Sequence, residues 1–147
     1  MTMTLDSGPI QFFILLNRLA LGYYVMNAGW EKVRREIDGD PGTFLASNAF
    51  QGRSTILPDF VAVPFGYAWP WMELIFGLML LIGLFTRAAA AVTTCLLASI
   101  TIALVMTDRA DFFPRHYLMV FVPLALLLFV LGPGPFSVDR LFGRSRA

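Results

Sequence analysis

Apolar residues form four long runs along this chain, with polar residues gathered between them. The runs cover about 10–30, 68–86, 88–106 and 112–131. Each is close to the roughly 20 residues with which an α-helix crosses a bilayer. Because backbone exposed to lipid must satisfy its own hydrogen bonds, the pattern predicts an all-α fold, an integral membrane four-helix bundle. The whole chain, 1–147, then forms a single transmembrane domain.

The connections between these runs differ greatly in length. The second run meets the third at Thr86 and Arg87, a turn so tight that these two helices should be antiparallel neighbours. Loop 1, about 31–67, lies between helices 1 and 2 and is the one long connection. We expect a short amphipathic helix there around 41–48, followed by irregular chain. Three prolines should prevent any longer helix: Pro58, Pro64 and Pro70.

Composition supports a membrane protein and argues against other classes. Hydrophobic residues make up 57% of the chain and charged residues 14%, with a mean hydropathy of +0.69, which does not suit a soluble domain. The net charge is +1 and the basic residues are scattered, so we expect the bilayer and no nucleic acid as a partner. No Lys or Arg precedes the first run, which is atypical of a cleaved signal peptide. Cys95 is the single cysteine; it excludes an intrachain disulfide and should lie at a helix contact.

Two charges lie well away from the ends of the apolar runs and are the main candidates for a polar site. A central arginine costs roughly 2.5–3.5 kcal/mol in a membrane helix, so Arg18 should have a partner. Glu73 is the one acidic residue in the second run, and we expect the two to pair. Two interpretations stay open: a buried ion pair that fixes helix register, or a site for an anion, a quinone-like ligand or a proton.

Other polar side chains could take part in binding. Lys32 is either a snorkelling anchor or a ligand contact at the mouth of the bundle. Asn17 or Asn27 could complete a hydrogen-bonded network around Arg18. His116 is either an interfacial polar residue or a group for proton transfer or quinone contact. A single histidine cannot supply a metal or bis-His haem set, so we expect no metal and no covalent cofactor.

Small residues and turn residues predict where the helices pack and end. Gly22 and Gly29 follow Arg18 at helical spacing, and Gly77 follows Glu73 with Gly83 nearby, which favours close helix contact. After the fourth run, glycines should end the helix and a polar residue should cap a short surface turn. The residues concerned are Gly132, Gly134, Ser137 and Asp139.

Three segments resemble the DoxX family. They are RLALGYYVMNAGWEK from Arg18, WMELIFGLMLLIGLFTRAAA from Trp71 and GPGPFSVDRLFGR from Gly132, and they occur in the family's order. The resemblance implies a protein of the cell inner membrane with cytoplasmic termini and an extracytoplasmic loop 1, whereas the Lys/Arg count on the two sides is near a tie. The positions that match the family pattern are Arg18, Gly29, Lys32, Glu73, Gly77, Gly83, Arg87, Ser137 and Asp139.

The resemblance also implies a redox role. Characterised relatives are linked to a quinone-reducing subunit of thiosulfate:quinone oxidoreductase, or to membrane partners in thiol and oxidative-stress complexes. The leading hypothesis is therefore a membrane component of a quinone-linked redox system, with Arg18 and Glu73 defining a pocket entered from loop 1. A noncatalytic anchor or assembly subunit of a larger complex is the alternative. A small-solute permease is less favoured because no inverted repeat or broken helix is evident. The sequence leaves catalysis, substrate and oligomeric state open.

Overall fold

The computed structural model describes residues 8–39, 58–106, 117–134 and 136–141. Within them, four helices form a bundle and a fifth, short helix follows. Their bounds are α1 Gly8–Asp38, α2 Asp59–Ile82, α3 Thr86–Met106, α4 Tyr117–Leu131 and α5 Val138–Leu141. All regular structure in the described residues is helical, which confirms the predicted all-α fold with four main helices.

The first helix is longer than its apolar run. α1 continues eight residues past Trp30, through a charged segment in which Arg34 Nε donates to Asp38 Oδ2 at 3.1 Å. Such pairs four residues apart support a helix in water. The prediction that helix 1 ends near residue 30 was wrong, because the change in hydropathy marks an expected membrane boundary and not the end of the hydrogen-bonded helix.

The second helix also begins earlier than predicted. α2 starts at Asp59 and continues through Pro64 and Pro70, which were expected to break it. A proline removes one backbone hydrogen bond, yet membrane helices tolerate this because neighbouring groups satisfy the freed carbonyl. Residues 59–67 are thus helical and not part of an irregular loop. The amphipathic helix expected at 41–48 lies outside the described residues.

A glycine ends α2 and sets the turn into α3. Gly83 has a φ of +72°, and the amides of Gly83 and Leu84 donate to the carbonyls of Leu80 and Met79. These two bonds form a Schellman motif, which favours glycine. The turn comprises residues 83–85, and Thr86 is already the first residue of α3 instead of part of the turn.

The helices pack in pairs, with α1 against α2 most extensively and α3 against α4. Three glycines permit the first contact. A Cβ atom at Gly22 would lie 2.8 Å from Leu81 N, and one at Gly77 would lie 2.6 Å from Met26 Cα. At Gly29 it would lie 2.8 Å from the carbonyl carbon of Glu73. The backbones of α1 and α2 are therefore too close for any larger side chain.

The core lies between all four helices, and large apolar side chains are also exposed on each of them. Fully buried residues from α1 to α4 form the core, among them Leu21, Leu80, Ala90 and Leu128. α1 and α2 are each long and apolar enough to span a bilayer, and shorter apolar helical stretches cover 86–102 and 120–131. Cys95 was expected at a helix contact, but it is exposed on α3.

Candidate functional site

Arg18 points toward the end of the bundle where the chain returns after α4. The side chain is buried, with 1% of its surface exposed. Its Nη1 donates to the carbonyl oxygen of Pro133 at 2.5 Å and its Nη2 to that of Phe136 at 3.0 Å. Hydrogen bonds from a charged donor are stronger than neutral ones. Arg18 therefore fastens the residues after α4 to the first helix.

Asp139 binds the turn between α2 and α3. Its Oδ1 accepts from the amide of Phe85 at 2.6 Å and its Oδ2 from the amide of Thr86 at 2.7 Å. The amide of Asp139 itself donates to Gly83 O at 3.0 Å. The first amides of a helix lack partners within the helix and favour a negative charge. Asp139 thus caps α3 from a distant part of the chain.

Gly83 has a second reason to be glycine. A Cβ atom there would lie 2.7 Å from Ser137 Cβ and 2.8 Å from Arg18 Nη1. Ser137 is itself buried. Arg18, Gly83, Ser137 and Asp139 are hereafter called the tail cluster. Their close packing brings α1, the α2–α3 turn and the tail together at one point.

Two phenylalanines beside the tail cluster have left-handed backbone conformations. Phe85 has a φ of 46° and Phe136 a φ of 53°, in a region that bulky residues rarely adopt. The amide of Phe85 donates to Asp139, and the carbonyl of Phe136 accepts from Arg18. Such conformations persist where surrounding interactions fix them. The ionic hydrogen bonds of the cluster thus offset local backbone strain.

Glu73 lies in a second polar cluster, at the loop 1 end of the α1–α2 pair. Its Oε2 accepts a hydrogen bond from Lys32 Nζ, and its Oε1 accepts one from Trp69 Nε1 at 2.8 Å. The Glu73 side chain is 4% exposed, whereas that of Lys32 is 24% exposed. Lys32, Glu73 and Trp69 are hereafter called the mouth cluster. It is a buried carboxylate covered by a partly exposed cation.

The contact between α1 and α2 determines where the mouth cluster forms. Gly29 packs directly on the backbone at Glu73, and Lys32 follows three residues later on the same side of α1. Trp69 precedes Glu73 by one turn of α2, which brings the indole N–H to the carboxylate. Phe65 packs edge-on against Trp69, with ring centroids 4.9 Å apart. The carboxylate is thus held by side chains from both helices.

The predicted Arg18–Glu73 pair is not formed. Arg18 and Lys32 are separated by about four helical turns, roughly 21 Å, so they serve opposite ends of α1. Helical side chains tilt toward the N-terminus, which directs Arg18 away from Glu73 and toward the tail. Lys32, one turn beyond Gly29, has the correct register to meet Glu73. The single Arg/Glu site expected from the sequence is replaced by two separate clusters.

The other predicted site residues are dispersed. Asn17 Nδ2 donates to Leu124 O at 3.1 Å, so it bonds to α4 and does not join the network expected around Arg18. Asn27 is exposed on the outward side of α1. Arg87 is exposed near Gly132, which has a φ of +87° just after α4. His116 lies outside the described residues. In the part of the chain that the structure describes, no group of three or more His, Cys, Asp or Glu could hold a metal ion.

Two functions within these clusters were not predicted from the sequence. Trp69 was not identified as a partner of Glu73, although its spacing of four residues from Glu73 places the two side chains on one face of a helix. Ser137 and Asp139 were expected to cap a surface turn, but both are buried, and Asp139 caps α3 instead. No local signal shows a cap supplied from 53 residues away.

The fold and the clusters define a small integral membrane protein: apolar helices in one bundle, with charges buried at both ends. Residues 13–106 match the DoxX family model, and the chain belongs to the DoxX family. No curated protein and no solved structure was found to match it. The match contains Arg18, Lys32 and Glu73 but stops before the tail, so Ser137 and Asp139 are assigned to their cluster by the structure.

Proposed function

We propose that this DoxX family protein is a membrane component of a quinone-linked redox system, and that the quinone head group binds at the mouth cluster. The observation that carries the proposal is the unequal burial of one ion pair. Glu73 is buried, while the Lys32 side chain is 24% exposed. An ammonium group has three donors, so it can donate to a ligand carbonyl while keeping its bond to a carboxylate. The isoprenoid tail of the ligand would lie along the apolar helices.

The same pair suits the proton chemistry of a quinone. Reduction of a quinone to a quinol takes up two electrons and two protons. A partner protein would supply the two electrons. Lys32 would pass one proton to the carbonyl oxygen it contacts and regain a proton from water at the mouth of the bundle, and the same water would supply the second proton to the other carbonyl oxygen. The Trp69 N–H would keep the Glu73 carboxylate oriented during this transfer. Lys32 is then the group at the ligand, and Glu73 is the group that holds Lys32 in position.

Arg18 has no place in this binding site. The sequence suggested a pocket between Arg18 and Glu73, but Arg18 donates to Pro133 and Phe136 at the other end of the bundle. The proposal therefore rests on Lys32 and Glu73. We also propose the inner membrane as the location, with cytoplasmic termini and loop 1 outside.

Quinone binding to the full chain in lipid nanodiscs tests the proposal. A short-chain ubiquinone analogue should quench tryptophan fluorescence, and Lys32→Met should weaken its binding by at least about 10-fold, the value of a hydrogen bond to a charged group. Arg34→Met is the matched control, since Arg34 also lies on α1 but is exposed and paired with Asp38. Wild-type protein that binds no analogue, or a folded Lys32→Met protein that binds it equally well, contradicts the proposal.

A second candidate is a noncatalytic anchor or assembly subunit. The observation in its favour is the charged end of α1, residues 31–38, which continues as helix beyond Trp30 and offers a surface to a partner. Gentle affinity purification should then recover one stoichiometric partner, and charge reversal at Arg35, which lies in the last turn of α1, should lose it. Recovery of the protein without any stoichiometric partner contradicts this candidate.

A further inference from the structure

One polar side chain lies on the outward face of a membrane helix and belongs to neither cluster. Asn27 is exposed, one turn inside Trp30 on α1. Its neighbours on the same face are also exposed: Leu16, Ala20, Tyr23 and Trp30. These five residues, hereafter the outer stripe, recur at spacings of three and four, so they form one continuous face. Their side chains point away from α2 and α4.

An asparagine amide facing hydrocarbon is unfavourable. The group carries two donors and an acceptor, and lipid tails satisfy none of them. In membranes such a side chain is commonly satisfied by hydrogen bonds across a helix contact. Asn17 on the same helix shows this arrangement within the chain, since it donates to Leu124 on α4. Asn27 has the same chemistry but is aimed outward.

We propose that the outer stripe is the contact between two copies of this chain, centred on reciprocal hydrogen bonds between their Asn27 side chains. Two copies inserted with the same orientation are related by a two-fold axis along the membrane normal. Every residue near that axis meets itself at the same depth. An amide is both donor and acceptor, so Asn27 is complementary to its own copy, as few other side chains are.

The charges near the outer stripe agree with this contact. The two-fold axis would bring Arg34 near Arg34, but each is already paired with Asp38 one turn along the helix. Across the axis, Arg34 and Asp38 of one copy can also meet Asp38 and Arg34 of the other. The membrane part of the stripe contains no charge, and Ala20 lets the two backbones approach.

Cysteine cross-linking of the full chain in native membranes tests the contact. Ala20→Cys in a Cys95→Ala background should form a disulfide-linked dimer on mild oxidation. The natural Cys95 is the matched control, because it is exposed on α3 and should give no dimer. Cross-linking through Cys95, or none through Ala20→Cys while the protein is folded, overturns the proposal.

The role of the asparagine is tested by a second variant. Asn27→Leu should lower the dimer association constant in nanodiscs or detergent by about 3- to 30-fold, the range for an interhelical hydrogen bond in a membrane. Ser99→Leu is the control on α3, since Ser99 is exposed but bonds to its own helix at Cys95 O. Unchanged dimerisation of Asn27→Leu, or an equal loss for Ser99→Leu, overturns the proposal. This result is independent of quinone binding, because the outer stripe and the mouth cluster share no residue.

Discussion

The tail cluster and the mouth cluster both hold a buried charge, but they satisfy it differently. Arg18 donates to two backbone carbonyls, and Asp139 accepts from two backbone amides. Glu73, by contrast, is bound by two side chains, Lys32 and Trp69. The tail cluster thus fixes segments of the backbone, whereas the mouth cluster joins side chains that can change rotamer.

This difference suggests that Arg18 stabilises the fold, whereas the Lys32–Glu73 pair is the candidate for ligand binding. Backbone groups cannot move away without unfolding the segment that carries them, and buried polar groups left without partners are costly. A lysine side chain can move by changing rotamers, and Lys32 is already partly exposed. A ligand can therefore compete at the mouth cluster at a much lower cost than at the tail cluster.

Removal of the arginine should give the largest effect on stability. Arg18→Met leaves the carbonyls of Pro133 and Phe136 without their charged donor and should lower the free energy of unfolding by about 3–5 kcal/mol. Thermal unfolding in detergent measures this, with the exposed Arg34→Met as a control that should change little. A loss below about 1 kcal/mol contradicts the structural role of Arg18. If the folded Arg18→Met protein binds quinone more weakly than wild type, the tail cluster also contributes to binding, and the two clusters do not have separate roles.

A methyl group in the tail cluster should have the next largest effect. Gly83→Ala places a Cβ atom 2.7 Å from Ser137 Cβ at a φ of +72°. Left-handed strain and overpacking together should cost about 2–3 kcal/mol. Gly8→Ala is the control, because a Cβ atom at Gly8 would meet nothing within 4 Å. If both variants unfold at the same temperature, the tail does not pack on the turn as described.

Loss of the distant cap should cost somewhat less. Asp139→Ala removes the acceptor for the amides of Phe85 and Thr86 and should destabilise the protein by about 2 kcal/mol. Asp139→Asn keeps one acceptor oxygen and should cost about half as much. The two unfolding midpoints, compared with wild type, check the order. A more harmful Asn than Ala variant contradicts the capping role.

Replacement of the whole ion pair in the mouth cluster should affect stability least. The double variant Lys32→Met/Glu73→Gln removes both charges together, so it should stay within about 1 kcal/mol of wild type. Its quinone affinity should nevertheless fall as far as that of Lys32→Met alone. Unfolding and binding measured on the same preparation test both statements. A large loss of stability would show that the mouth cluster stabilises the fold as the tail cluster does, which contradicts the difference drawn between them.

The helical fold was predictable because its main determinant is local. Four apolar runs of membrane length leave few alternatives to a helical bundle. Helix ends were less predictable, since α1 runs on into charged residues and α2 runs through Pro64 and Pro70. Hydropathy changes at the membrane boundary, whereas a helix ends where its backbone hydrogen bonds end.

The site was predictable in its charges but not in its partners. Arg18 and Glu73 stood out because ionisable residues are costly in membranes. Their partners depended on how α1 aligns with α2, because this alignment brings Lys32 to Glu73 and leaves Arg18 about four helical turns away. They also depended on tertiary contacts such as that between Asp139 and Thr86. Neither a register between helices nor a contact across 53 residues leaves a local pattern.

The contact between Arg18 and Pro133 also fixes an order of events during synthesis. The two residues are 115 positions apart, so at about 5–20 residues per second the carbonyl acceptors emerge roughly 6–23 s after the arginine. For that interval the first helix carries a charge whose final partners do not yet exist. The residues made last therefore satisfy a charge on the helix made first, and a chain that ends before Pro133 leaves this guanidinium without those two carbonyl acceptors.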